Sequence, residues 1–207
     1  RFGDKVRITG GVRAVTGEKV LVRLTAYPDG RPPEGEIVRV LGRSGDLRTE
    51  EDALIASAGL PEAFPPRALA EAEKAAAERV ILGMRRDFRN EPIVTIDGDD
   101  SRDFDDAVTL SRTEEGYFLG VHIADVSHYV RRGGDTDKEA YERGTSVYFP
   151  DRVLPMLPES LSNGACSLNE GEDRYTLSCL IRLDGQGRVL GSEIVRGVIR
   201  SCARMTY

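Results

Sequence analysis

The stretch Asp97-Gly98-Asp99-Asp100-Ser101-Arg102-Asp103-Phe104-Asp105-Asp106 puts six aspartates into ten positions with a single arginine to offset them. An apolar run, Ile93-Val94-Thr95-Ile96, leads into it, and a second, Ala107-Val108-Thr109-Leu110, leaves it. Both runs read as buried strands. The chain must therefore fold so that a dense negative charge stands at the ends of two core strands, with Phe104 in its middle marking a packed turn. Carboxylates held this close raise one another's proton affinity unless a cation or solvent separates them.

Three readings of this stretch compete. It is a solvated acidic loop, as charge runs usually are, or it binds calcium, or it holds magnesium for phosphoryl chemistry. Asp97, Asp99 and Ser101 have the early spacing of a calcium loop, but Arg102 stands where that loop needs glycine and Val108 where it needs a bidentate glutamate. A magnesium site asks for several short carboxylates on a rigid turn, where two ions about 4 Å apart can clamp a phosphodiester. Residue chemistry alone leaves the solvated loop and the magnesium site both open.

Composition narrows the class. At 207 residues, with 40% hydrophobic and 31% charged side chains, the chain can bury a real core and is too apolar to be disordered. No apolar run approaches the ~20 residues of a membrane helix. The opening Arg1-Phe2-Gly3-Asp4 has neither an initiator Met nor a signal-peptide core. The expectation is a cytoplasmic protein, not membrane-bound, and a stretch of something longer. Cys166, Cys179 and Cys202 are widely spaced and form no CxxC pair, so reduced thiols are expected rather than a zinc site or disulfides. Charge is uneven along the chain: residues 1–48 carry ten basic against six acidic groups, the remainder nineteen against twenty-nine. A basic front and an acidic body suit an anionic polymer only where cations neutralise the body.

Residues 1–48 read as short strands, Val20–Leu24 and Ile37–Leu41, separated by Pro28-Asp29-Gly30 and Pro32-Pro33. Residues 49–84 read as a helical linker, with helix from Ala53 broken at Gly59 and Pro61 and a second piece over Arg67–Leu82 started by Pro65 or Pro66. Residues 85–207 return to strands around the acidic stretch, with Tyr117–Val126 alternating in polarity. A helix near Asp137–Arg143 is capped by Gly144, and residues 149–165 form an irregular connection. Tyr175–Leu183 alternates again, Asp184–Gly187 turns, and one further strand runs from Val189 towards Tyr207. The fold class is α+β.

Thr95-Ile96-Asp97-Gly98-Asp99-Asp100-Ser101-Arg102-Asp103-Phe104-Asp105-Asp106-Ala107-Val108 resembles the catalytic signature of the ribonuclease R/ribonuclease II (RNB) family. The likeness continues in Val121–Val130, Tyr148-Phe149-Pro150, Leu154–Pro158, Leu161-Ser162 and Cys166-Ser167-Leu168-Asn169. Gly17–Gly42 is similar to the end of the cold-shock-like domain that precedes the catalytic domain in ribonuclease R. The resemblance implies an RNB-type catalytic domain, a mixed sheet with helices, preceded by the last strands of an OB-type barrel. It implies hydrolysis of single-stranded RNA from the 3′ end to nucleoside 5′-monophosphates with Mg²⁺. Carried over residue by residue, Asp97, Asp103 and Asp106 would hold metal. Asp105, at the same metal site, would be the acid that catalysis tolerates losing least.

Tyr148 matches an aromatic that stacks on a base near the 3′ end, worth ~1–3 kcal/mol per base. Asp99 and Asp100 fall between motif positions and are expected to face solvent. His122 and His128 are expected to be structural, and Arg85, Arg86 and Arg89 to touch phosphate or line a solvated face. The family places further catalytic-domain elements, and usually an S1-type RNA-binding domain, beyond these blocks. The 207 residues alone are therefore expected to be nearly inactive. The alternative is a non-catalytic RNA-binding module of the same family.

Overall fold

The computed structural model describes residues 5–207. The polar opening Arg1–Asp4, with the start of the expected first domain, lies outside the described residues. The chain divides into two compact units, residues 1–63 with 149–152, and residues 64–148 with 153–207.

In the first unit β1 (Arg7–Gly11), β2 (Glu18–Ala26) and β3 (Glu34–Arg43) form a sheet of order β1-β3-β2, followed by α1 (Leu47–Ala58). β2 and β3 are the two expected strands, each longer than its β-branched core. They pair antiparallel across the proline-rich turn, while β1 joins β3 in parallel. α1 begins at Leu47, six residues before the expected Ala53, and buries Thr49, Glu51 and Ile55. Arg152 at the tip of the 149–152 segment pairs with Asp52 and Glu51 in the same unit.

The second unit is built on a seven-stranded mixed sheet. Its strands are β4 (Arg86–Phe88), β5 (Val94–Asp97), β6 (Asp106–Arg112), β7 (Gly116–Ala124), β10 (Asp173–Asp184), β11 (Val189–Arg200) and β12 (Ala203–Thr206), in the order β12-β5-β6-β7-β10-β11-β4. The five central strands, β5, β6, β7, β10 and β11, are successive antiparallel neighbours, and the outer pairs β12–β5 and β11–β4 are parallel. The single strand expected from Val189 onward is two: the chain breaks at Ser201-Cys202, and β12 crosses to the far edge beside β5.

The core gathers around this sheet. Ala107, Ala124, Leu180 and Ile199 pack with Phe88, Ile93, Phe104, Leu161 and Leu168 against Ala72 of α2 (Pro66–Ala76). Full burial of a side chain such as Ile93, Leu161 or Leu168 contributes about 1.5–3 kcal/mol. Alanines 68 and 72 are the buried residues of α2, so the helix lies close to its neighbours. Pro66 starts it, as the sequence suggests. It ends at Ala76 rather than Leu82, because the Tyr175 hydroxyl holds both the N–H and the carbonyl of Ile81 (2.7 and 3.2 Å) in a non-helical course.

The remaining elements are α3 (Val126–Tyr129), α4 (Asp135–Arg143), the two-residue hairpin strands β8 (Val147–Tyr148) and β9 (Val153–Leu154), and a helical turn over Ser160–Ala165. Gly144 closes α4 with φ of 72°, where a side chain would be strained. No helix among the described residues is long and apolar enough to cross a membrane.

Candidate active site

The acidic stretch is the connection between β5 and β6. Asp97 is the last residue of β5 and Asp106 the first of β6. Between them Phe104 sinks into the core while Asp103 and Asp105, on either side, turn outward. The connection is tied at several points. Leu168 N–H donates to the Phe104 carbonyl (2.9 Å), and Ala124 N–H donates to the Asp105 carbonyl (2.9 Å). Arg204 of β12 donates to the carbonyls of Gly98 (3.0 Å) and Asp99 (2.5 Å) and lies 5.1 Å from the centre of the Phe104 ring. Asp99 and Asp100 are exposed, as expected of residues outside the motif.

The four motif carboxylates feel one another. Partial burial, then the charges of Asp106 and Asp103, push the Asp97 carboxyl above its ordinary range against the pull of Arg204. Asp105 is pushed up by desolvation and by Asp103, Asp106 and Asp97. Tyr148, 64% exposed, donates its hydroxyl to Asp103 Oδ2 at 2.8 Å, which raises the tyrosine's own proton affinity. The predicted residues Asp97, Asp103, Asp105 and Asp106 thus lie within electrostatic reach of one another, with Tyr148 bonded to Asp103. Among the described residues no three His, Cys, Asp or Glu side chains close into a finished metal cage. The donor set, four mutually repelling oxygen ligands, still fits a hard divalent cation.

The histidines lie elsewhere. In the β6–β7 ladder Asp106 faces Ile123 and Ala107 faces His122, so Asp106 and His122 project from opposite faces of the sheet. His122 is fully buried, with Nδ1 2.8 Å from the Ser178 hydroxyl, and burial pushes it down to about 4. His128 packs against Tyr175, with ring centres 4.2 Å apart. Of the three arginines, Arg85 is part-buried and pairs with the buried Asp125 (2.7 Å), Arg86 pairs with Glu193, and Arg89 pairs with Asp87 and Asp173. All three are engaged within the fold. Cys166, Cys179 and Cys202 are free thiols.

A mixed sheet with an aspartate-rich connection between two of its strands, β5 and β6, defines the class. Residues 85–207 match the RNB domain and residues 1–65 a cold shock domain. The chain belongs to the RNB family. It is 43% identical over its whole length to ribonuclease R 2 of Lactococcus lactis, of which it covers 32%. It is 45% identical over 94% of its length to ribonuclease R of Thermotoga maritima, covering 28%. Its backbone matches that of Mycoplasma genitalium RNase R in complex with ribose-methylated single-stranded RNA with a TM-score of 0.89. That match has 29% identity and covers 98% of this chain and 33% of the other. The chain thus spans about a third of the length of these relatives.

Proposed function

We propose that the protein is a 3′→5′ exoribonuclease that hydrolyses single-stranded RNA to nucleoside 5′-monophosphates, with Mg²⁺ held at the β5–β6 connection. The observation that supports this reading is the mutual charge coupling of Asp97, Asp103, Asp105 and Asp106 at one connection, with an exposed tyrosine bonded to Asp103. A bound divalent cation supplies polarisation of the phosphodiester and neutralisation of the charge that builds on it. Asp97, Asp103 and Asp106 would hold it, with Asp105 beside them.

Asp105, pushed up by desolvation and by the neighbouring carboxylates, would be the acid that catalysis tolerates losing least. Tyr148 is tethered by its hydroxyl to Asp103, so its exposed ring stands next to the acids and can stack on a terminal base of any identity. The 207 residues span about a third of the relatives' length, and Arg204 is the basic group felt by Asp97. Alone they are expected to trim RNA poorly.

The test uses 5′-labelled single-stranded RNA with the intact protein, in Mg²⁺ and in chelator, beside Asp105→Asn. A ladder shortening from the 3′ end, lost in chelator and in the variant, is the expected result. RNA bound but left intact in Mg²⁺ would make the protein a non-catalytic RNA-binding module instead.

A further inference from the structure

Ser167 is fully buried and belongs to no strand or helix. Its hydroxyl oxygen accepts the N–H of Phe104 at 3.1 Å and donates to the carbonyl of Arg102 at 3.0 Å. Those two groups belong to the peptide planes on either side of Asp103. The φ and ψ of Asp103 are the rotations between these planes, so one hydroxyl bound to both sets the direction in which the Asp103 carboxylate leaves the chain. The next two peptide planes are held by the main-chain donors Leu168 N–H and Ala124 N–H. Substitution cannot remove those donors, but it can remove the Ser167 hydroxyl.

Ser167 is itself held. Its carbonyl accepts from Arg174 Nε on β10 at 2.7 Å. A second acceptor, Asn169 Oδ1, lies at 3.4 Å from the hydroxyl, farther than the Arg102 carbonyl. The hydroxyl thus ties the loop around Ser167 to the β5–β6 connection across 65 positions of sequence, and both of its short bonds are spent on the peptides of one aspartate.

We propose that Ser167 is a positioning residue for the acidic site: it aims Asp103 and, through the adjoining peptides, Asp105. This rests on the functional reading above, in which those carboxylates hold a cation and process RNA. A displacement near 1 Å at a reacting centre can cost on the order of 10²-fold in rate. Ser167→Ala removes both bonds while taking away one oxygen. In the intact protein it is expected to lower kcat on single-stranded RNA by about 10- to 100-fold with KM within about twofold. The Mn²⁺ concentration for half-maximal binding, measured by calorimetry without RNA, should rise about tenfold, and excess Mn²⁺ should restore part of the rate. Ser167→Thr, which keeps the hydroxyl, should recover most of both. Amide exchange at Phe104 should quicken in the alanine variant alone. Ser167→Cys keeps the volume but weakens the bonds, and carries the same test if the alanine variant does not fold.

All measurements are made well below the melting midpoint. A variant that melts earlier yet keeps wild-type Mn²⁺ affinity and kcat makes Ser167 a packing residue and overturns the proposal. A wild-type protein that neither binds Mn²⁺ nor trims RNA overturns the functional reading and this inference with it. The first result leaves that reading standing.

Discussion

The part-buried Arg85 and the buried Asp125 form an ion pair whose loss can be worked out in both size and pH dependence. Their side chains are 13% and 6% exposed and meet at 2.7 Å. Burial alone would raise the Asp125 carboxyl, but hydrogen bonds from Arg85 and Ser127 outweigh it and hold the group below its ordinary value. Arg85 also lies 4.3 Å from the centre of the Tyr175 ring. Arg85→Met keeps much of the stem packing and leaves a buried carboxylate without its cation. Breaking such a pair from one side costs about 3–5 kcal/mol. For a chain of this size that lowers the melting midpoint by roughly 6–20 °C.

The sign with pH follows from linkage. In the wild type the depressed Asp125 contributes stability that is full above ~3.9 and fades as pH falls towards its folded value. In the variant desolvation is no longer offset, the folded carboxyl rises above ~3.9, and the variant regains stability as acid protonates it. The difference between the two proteins, measured by urea unfolding at pH 7.5 and at pH 4.5, should therefore shrink in acid. Asp125→Asn in the Arg85→Met background should recover part of the loss at pH 7.5. A difference under about 1 kcal/mol at pH 7.5, or one that widens in acid, would refute the reasoning.

Three further outcomes are expected. Tyr148→Ala should weaken binding of single-stranded RNA by roughly 5- to 150-fold, as loss of one stacked base predicts, whereas Tyr148→Phe should stay within severalfold in a fluorescence titration; equal losses in both would assign the effect to the hydroxyl. His122, pushed down to about 4 by burial, should show no titration of its ring protons between pH 8 and 5 by NMR. Because the unfolded chain protonates near ~6.5, its contribution to stability is full above that pH and is lost as pH falls towards its folded value; a ring that titrates near 6.5 would contradict the buried, neutral state. Gly116→Ala should cost at least ~1–3 kcal/mol in chemical denaturation, because φ is 150° and a Cβ there would stand 2.3 Å from the Leu183 carbonyl oxygen; a neutral substitution would mean that the β7–β10 register is looser than described.

The parts of the fold that could be read in advance are those with local signals. The acidic connection stood out because apolar runs flank it, and Gly144 because a helix needs a left-handed stop. β12 was not legible: neither glycine nor proline marks the break at Ser201-Cys202, and Ala203–Thr206 has only one β-branched residue to announce a new strand. Its parallel seat beside β5 is a tertiary decision. β1 is wholly exposed and contains two glycines, so its local preference is weak. The overlong second helix failed for a physical reason of the same kind, a tyrosine hydroxyl 94 positions away holding Ile81. At the site, the motif named the carboxylates, but the groups that aim them, Ser167 and Arg204, act across 65 and about 105 positions and leave no periodic trace.

The parallel seat of β12 also bears on when the acidic site can come into being during synthesis. β5, which ends in Asp97, takes its outer partner from Ala203–Thr206, about 110 residues downstream. At ~5–20 residues per second a ribosome needs roughly 5–20 s to make that stretch. Until then the nascent chain has its aspartates but not the strand and arginine that brace them. The acidic connection of a protein proposed to destroy RNA thus stays unbraced while that stretch of its own messenger is being read, and the brace arrives from the far edge of the sheet.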